Sequence, residues 1–253
     1  MLLFRRSIPF ISTLLIGFVY ESLCLKPEDV YWYWVGLLVV VAGTQLALSK
    51  KARLVETAIL GISQILFLSG TYYFIFFVEG STIRQLLIGL ALVINLFYLT
   101  NIFYYHFRTE KYQVNALQNI SSFLNLISIF TLSSVGFSLI LYLGWPSWLI
   151  SLGVALASAV LCYQTYWVNK IVGPATFLYA GITGLVGGEI FWAATFLPTS
   201  FFVNGAIVTV VNYSIVNLAR HYFAGNLQKN VVWRYLIISA TVLLLTLVTA
   251  RWK

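Results

Sequence analysis

Nine apolar stretches of membrane-spanning length, joined by loops mostly shorter than ten residues, occupy nearly all of this chain. A helix of about 20 mainly apolar residues is what crosses a hydrocarbon layer of about 30 Å. Lipid offers no water to the backbone, so a spanning segment must satisfy its own peptide groups, which a helix does locally. Nothing here alternates apolar and polar residues as a barrel strand does. The sequence therefore predicts an all-α, polytopic transmembrane bundle, one transmembrane domain over 1–253. Its spans are expected near 8–25, 31–49, 54–78, 84–107, 114–142, 148–168, 174–196, 201–223 and 231–250. The fifth is long enough to be either one tilted span or a span preceded by an interfacial segment. Turn chemistry separates the runs, as at Lys26-Pro27-Glu28-Asp29, Gly144-Trp145-Pro146, Gly173-Pro174 and Gly225-Asn226.

Composition closes off the soluble alternatives. Charged residues make up 9% of the chain and hydrophobic ones 60%, against about 25% charged in an average soluble domain. A net charge of +8 suggests nucleic acid in a soluble protein. Here the basic residues sit in loops between apolar runs, where they set topology and meet anionic headgroups. The bilayer is the expected partner, and nucleic acid is not.

Of the 15 Lys and Arg residues, Arg5, Arg6, Lys50, Lys51, Arg53, Arg108, Lys111, Lys170, Arg220, Lys229 and Arg234 gather on one side. Lys26, Arg84, Arg251 and Lys253 fall on the other, with Glu28, Asp29 and Glu79. The basic side reads as cytoplasmic, with the N-terminus inside and the C-terminus outside. Arg5-Arg6 followed by an apolar run resembles a signal sequence. However, Leu23 precedes Cys24 where a lipoprotein signal requires a small residue, and no small-residue cleavage site follows. The segment reads as a retained first span. Cys24 and Cys162 belong at different depths and read as small apolar fillers rather than a disulfide.

Spans four and eight share a pattern. Gly89, Asn101 and Phe107 recur at Gly205, Asn217 and Phe223, all 116 residues on, with His106 and His221 offset by 115. Asn95 and Asn212 pair at 117, and Gly61-Ile62-Ser63 echoes Gly181-Ile182-Thr183 at 120. The pattern suggests two parallel four-span halves, 1–113 and 114–224, followed by an extra helix at 231–250.

Few polar groups lie within the spans, and each needs a reason. Glu189 in span seven is the most informative, because intramembrane carboxylates are rare and usually face a bundle interior or a water cavity. Asn95, Asn125 and Asn212, with Gln64 at a similar level, fall near mid-depth. With Glu189 they form a candidate solute- or ion-path layer, although amides also serve as interhelical glue. Gly181, Gly184 and Gly188 point to close helix packing around span seven. Arg220 and His221, with Asn101, His106 and Asn217, belong at the cytoplasmic interface, where long polar side chains snorkel to headgroups. No H-E-x-x-H, G-x-S-x-G, P-loop or C-x-x-C occurs, so no catalytic residue, metal site or cofactor is assigned.

Glu189-Ile190-Phe191-Trp192, then Leu197-Pro198-Thr199-Ser200, Gly205 and Tyr213, resembles a pattern in uncharacterised multi-span inner-membrane proteins of candidate-phylum bacteria. The resemblance covers spans seven and eight and implies a bacterial inner-membrane location. The leading functional expectation is a small-solute or ion permease with its polar site between the two halves. The alternatives are a non-catalytic membrane scaffold or assembly partner, and a membrane-embedded lipid or envelope enzyme built around Asn217, Arg220 and His221.

Overall fold

The computed structural model describes residues 2–49, 54–108, 110, 112–171 and 173–250. Lys50, Lys51, Arg53, Lys111, Arg251 and Lys253, which enter the charge asymmetry, lie outside them. The described residues form an all-α polytopic bundle of nine helices, each long and apolar enough to cross a membrane. They are α1 (Leu2–Leu25), α2 (Val30–Leu48), α3 (Leu54–Phe77), α4 (Ser81–Phe107), α5 (Ala116–Leu143), α6 (Ser147–Val168), α7 (Pro174–Ala194), α8 (Phe201–Phe223) and α9 (Lys229–Thr249).

The boundaries follow local chemistry. Pro174 opens α7, where its missing N–H costs nothing. Ser200 caps α8 by accepting from the Val203 N–H. Gly144 and Gly225 take the left-handed conformation, at φ 65° and 68°, in the turns after α5 and α8. Two elements refine the sequence reading. The fifth segment is one unbroken helix of 28 residues, about 42 Å long at 1.5 Å per residue. The first helix starts at Leu2 rather than near Ile8 and runs through Pro9. The Arg5 guanidinium sits 4.7 Å above the Phe107 ring, and this cation–π contact holds the first turns of α1 against the end of α4.

The chain divides into two compact units, 1–124 and 125–253, with the division falling within α5. In the first unit α1 packs on α2 and α4, α2 on α3, and α3 on α4. Three fully buried tyrosines tie this unit together by donating to backbone carbonyls. Tyr20 reaches Leu68 O at 3.0 Å, Tyr72 reaches Val30 O at 2.8 Å and Tyr98 reaches Leu60 O at 2.9 Å. Each ring thereby fills apolar space while its hydroxyl stays bonded.

In the second unit α6 packs along α7, α7 on α8, and α8 on α9. The α6–α7 seam is built from small residues. A Cβ at Gly184 would lie 2.6 Å from Ala155 O, and one at Gly188 would lie 2.8 Å from Ala155 Cβ. Only glycine permits that backbone approach. Gly205 of α8 lies equally tightly against Ser134 of α5, and Gly136 of α5 makes room for Phe191 of α7. The Phe191 ring stacks on Phe137 at 4.0 Å. Cys162, Tyr166, Ala180 and Ala219 form a further buried cluster.

Candidate polar sites within the spans

The first unit closes around a ladder of amides. Gln45 Nε2 on α2 donates to Gln64 Oε1 on α3 at 2.6 Å. Gln64 Nε2 donates in turn to Asn95 Oδ1 on α4 at 2.8 Å. Asn95 Nδ2 donates to Thr13 Oγ1 on α1 at 3.1 Å. All four side chains are buried, and Gln64 and Asn95 completely so. One chain of hydrogen bonds therefore passes through all four helices. An amide is the side chain for this task because it donates and accepts at once, so links can be joined in series. Beside it, Thr44 pairs with Ser12 at 2.8 Å.

In the second unit two amides converge on α6. Asn125 Nδ2 has three α6 acceptors within reach: Gln164 Oε1 at 2.6 Å, Thr165 Oγ1 at 3.0 Å and Leu161 O at 3.2 Å. Asn212 Nδ2 on α8 donates to Ser158 Oγ at 3.0 Å. Gly187 of α7 makes that contact possible, since a Cβ there would lie 2.7 Å from Asn212 Nδ2 and 3.0 Å from Ser158 Oγ. Thus Asn125 and Asn212 reach neighbouring turns of one helix, whereas Asn95 belongs to the ladder of the first unit.

Glu189 is not with them. It is exposed, on a face of α7 that also presents Leu178, Ile182, Leu185 and Trp192. These positions recur at three- and four-residue steps, one side of a helix. Gly184, Gly187 and Gly188 are buried on the other side against α6 and α8, while Gly181 is exposed with nothing within 4 Å of its would-be Cβ. An intramembrane carboxylate was expected to face a bundle interior; here it points away from the packed side of its helix. The insertion cost of a charged carboxylate at a span centre is about 2.5–3.5 kcal/mol. That cost falls toward the interface, yet Glu189 stands five residues before the end of α7, about 7.5 Å by helical rise. Cα–Cβ bonds tilt toward a helix N-terminus, so its side chain leans back toward mid-span rather than out to the headgroups.

The remaining polar residues are absorbed locally. His221 Nε2 lies 3.3 Å from Tyr235 OH on α9. Asn217 and Asn101 donate to the carbonyls one turn back, Tyr213 O and Phe97 O, both at 2.8 Å. His106 lies edge-on to Tyr105. Arg220 is half-buried at the end of α8.

The ladder's other members, Gln45 and Thr13, and the α6 acceptors Ser158, Gln164 and Thr165 were not singled out by the sequence reading. Gln45 and Gln164 carried the same signal as Gln64, an amide inside an apolar run. The hydroxyls carried none, because Ser and Thr also occur in helices bonded to their own backbone.

A family model described as a protein of unknown function, DUF5656, matches residues 7–249. The chain belongs to this family. The match runs from within α1 to the end of α9. No curated protein matches the chain, and no solved structure does. The chain is thus an integral, multi-pass membrane protein of the DUF5656 family.

Proposed function

We propose that this DUF5656 protein is a non-catalytic assembly protein of the membrane, acting through the outward face of α7. The observation that carries this reading is the placement of its polar groups. The amides that a solute path would use are bonded across helices, while the intramembrane carboxylate is turned away from them. A helix face of Leu, Ile and Trp around one carboxyl is suited to another protein surface, since lipid offers that carboxyl no hydrogen bond. A photo-crosslinking residue at Leu185, with Ile237 on the exposed side of α9 as control, tests it in native membranes. Protein adducts specific to position 185 are expected; lipid adducts alone would reject the reading.

A permease is the second reading, and a separate observation favours it. Ser121, Asn125, Ser128, Thr131, Ser134 and Ser138 put a buried polar stripe along α5, about 26 Å of helix at 1.5 Å per residue. Gln164 Nε2 and the hydroxyls of Ser133 and Ser134 have no hydrogen-bond partner among the described residues. Buried polar atoms of that kind hold water or a polar solute. Saturable solute uptake by proteoliposomes, abolished by Gln164→Leu in a folded protein, would move the function to this reading.

The same proposal places the chain in a bacterial inner membrane with the N-terminus inside, as the Lys/Arg asymmetry supports. The duplication of 1–113 in 114–224 also remains a proposal, supported by the shared offsets near 116. The matched positions have different surroundings. Gly89 is open while Gly205 abuts Ser134, and Asn95 bonds to the first helix of its half while Asn212 bonds to the second.

A further inference from the structure

At one end of the second unit, the last turns of α5, the α7–α8 turn and the first turn of α8 enclose a cavity of about 110 Å³. Phe137, Ile140 and Leu141 form its α5 wall, and Leu197 and Phe201 complete the apolar lining. Thr195, Thr199 and Asn204 supply the polar atoms. Both threonines have already committed their protons. The Thr195 hydroxyl donates to Trp192 O at 2.6 Å, and the Thr199 hydroxyl donates to Asn204 Oδ1. Asn204 is only 5% exposed, and with its Oδ1 taken its Nδ2 is left without a partner among the described residues. An N–H so placed costs free energy until an acceptor reaches it. Among the described residues, none that lines the cavity is charged.

We infer that this cavity binds the acyl ester of a membrane lipid, its carbonyl oxygen accepting from Asn204 Nδ2 and its first methylenes lying against Phe137, Ile140 and Phe201. The free donor asks for an acceptor, and an ester carbonyl is an acceptor with no proton of its own. A phosphate or carboxylate would want a cation beside it, which the lining lacks. The apolar walls suit a hydrocarbon chain better than water alone. Depth agrees with this choice. α5 is about 42 Å long, about 12 Å more than the hydrocarbon layer, so about 6 Å of each end stands among the headgroups when the helix is centred. Ile140 lies three residues before the end of α5 and Asn204 three after the start of α8, each about 4.5 Å by helical rise. The cavity therefore straddles the boundary between headgroups and hydrocarbon, the layer in which lipid esters lie. The site does not depend on the assembly reading.

The test reconstitutes the full chain in vesicles of dioleoyl phosphatidylglycerol or of its diether analogue, which keeps the chains and headgroup but lacks both carbonyls. Each sample is released into mild detergent and weighed with its bound lipid intact. One ester lipid per 28.5 kDa chain is expected to persist. The diether should persist about fivefold less, the effect of one neutral hydrogen bond. Asn204→Leu, close to isosteric and without a donor, should lower the ester lipid to the diether level at unchanged helix content. Equal retention of the two lipids, or full ester retention by a folded Asn204→Leu, would overturn the proposal. So would retention of neither lipid, the result if water alone fills the cavity. The comparison of ester with diether is made on the unaltered protein, so it decides the question even where the variant fails to fold.

Discussion

At the scale of single residues, the protein separates two kinds of polar group that look alike in sequence. Gln64 is completely buried and bonded on both sides, to Gln45 and Asn95, whereas Glu189 is exposed on an apolar face. Interhelical hydrogen bonds in membranes average about 0.6 kcal/mol and reach about 1.7. Replacing Gln64 by Leu removes two and leaves an Asn95 acceptor and a Gln45 donor unmatched, so a loss of about 1–3 kcal/mol is expected. Gln45→Leu removes one and should cost less. Reversible unfolding in mixed micelles would show the ranking, and equal losses would contradict the ladder. The position of these residues along their helices was legible in the sequence, because turn residues mark the helix ends from which it is counted. Their direction was not. α7 is apolar on both sides, since lipid and protein interior accept the same side chains, so no periodicity separates the face that packs from the face that does not.

At the scale of elements, the helices were read closely because turn residues mark their ends. α1 departs from that, since its first turns rest on a contact with Phe107 in another helix, which no local signal announces. Arg5→Ala should cost less than about 1 kcal/mol yet raise amide exchange in the first turns of α1; unchanged exchange would show that Phe107 does not anchor them. The glycines of α7 divide by face as the carboxylate does. Gly184→Ala drives a Cβ to within 2.6 Å of Ala155 O, and a loss of about 1–3 kcal/mol is expected from overpacking. Gly181→Ala meets open space and should be neutral or stabilising by up to about 1 kcal/mol in the monomer. Thermal unfolding of the two variants in detergent compares them directly. A similar loss in both would contradict the assignment of Gly184 to the α6 seam and Gly181 to the free face.

At the scale of the whole molecule, composition and loop chemistry were sufficient for an all-α bundle of nine apolar helices, and the family match covers the same span. Function was less legible, because it depends on which helix faces are left over after packing. In this chain the face left over on α7 carries the carboxylate. The inside N-terminus and outside C-terminus proposed from the Lys/Arg bias are open to a direct check by protease access to tags at each end. Digestion of the C-terminal tag alone in intact cells is expected, and digestion of the N-terminal tag would reverse the topology. The most direct measurement on the central proposal is the mass of the protein released from native membrane vesicles without detergent. A species heavier than the 28.5 kDa chain that falls to a single chain with Glu189→Leu is expected; a single chain in the unaltered protein would contradict assembly through α7.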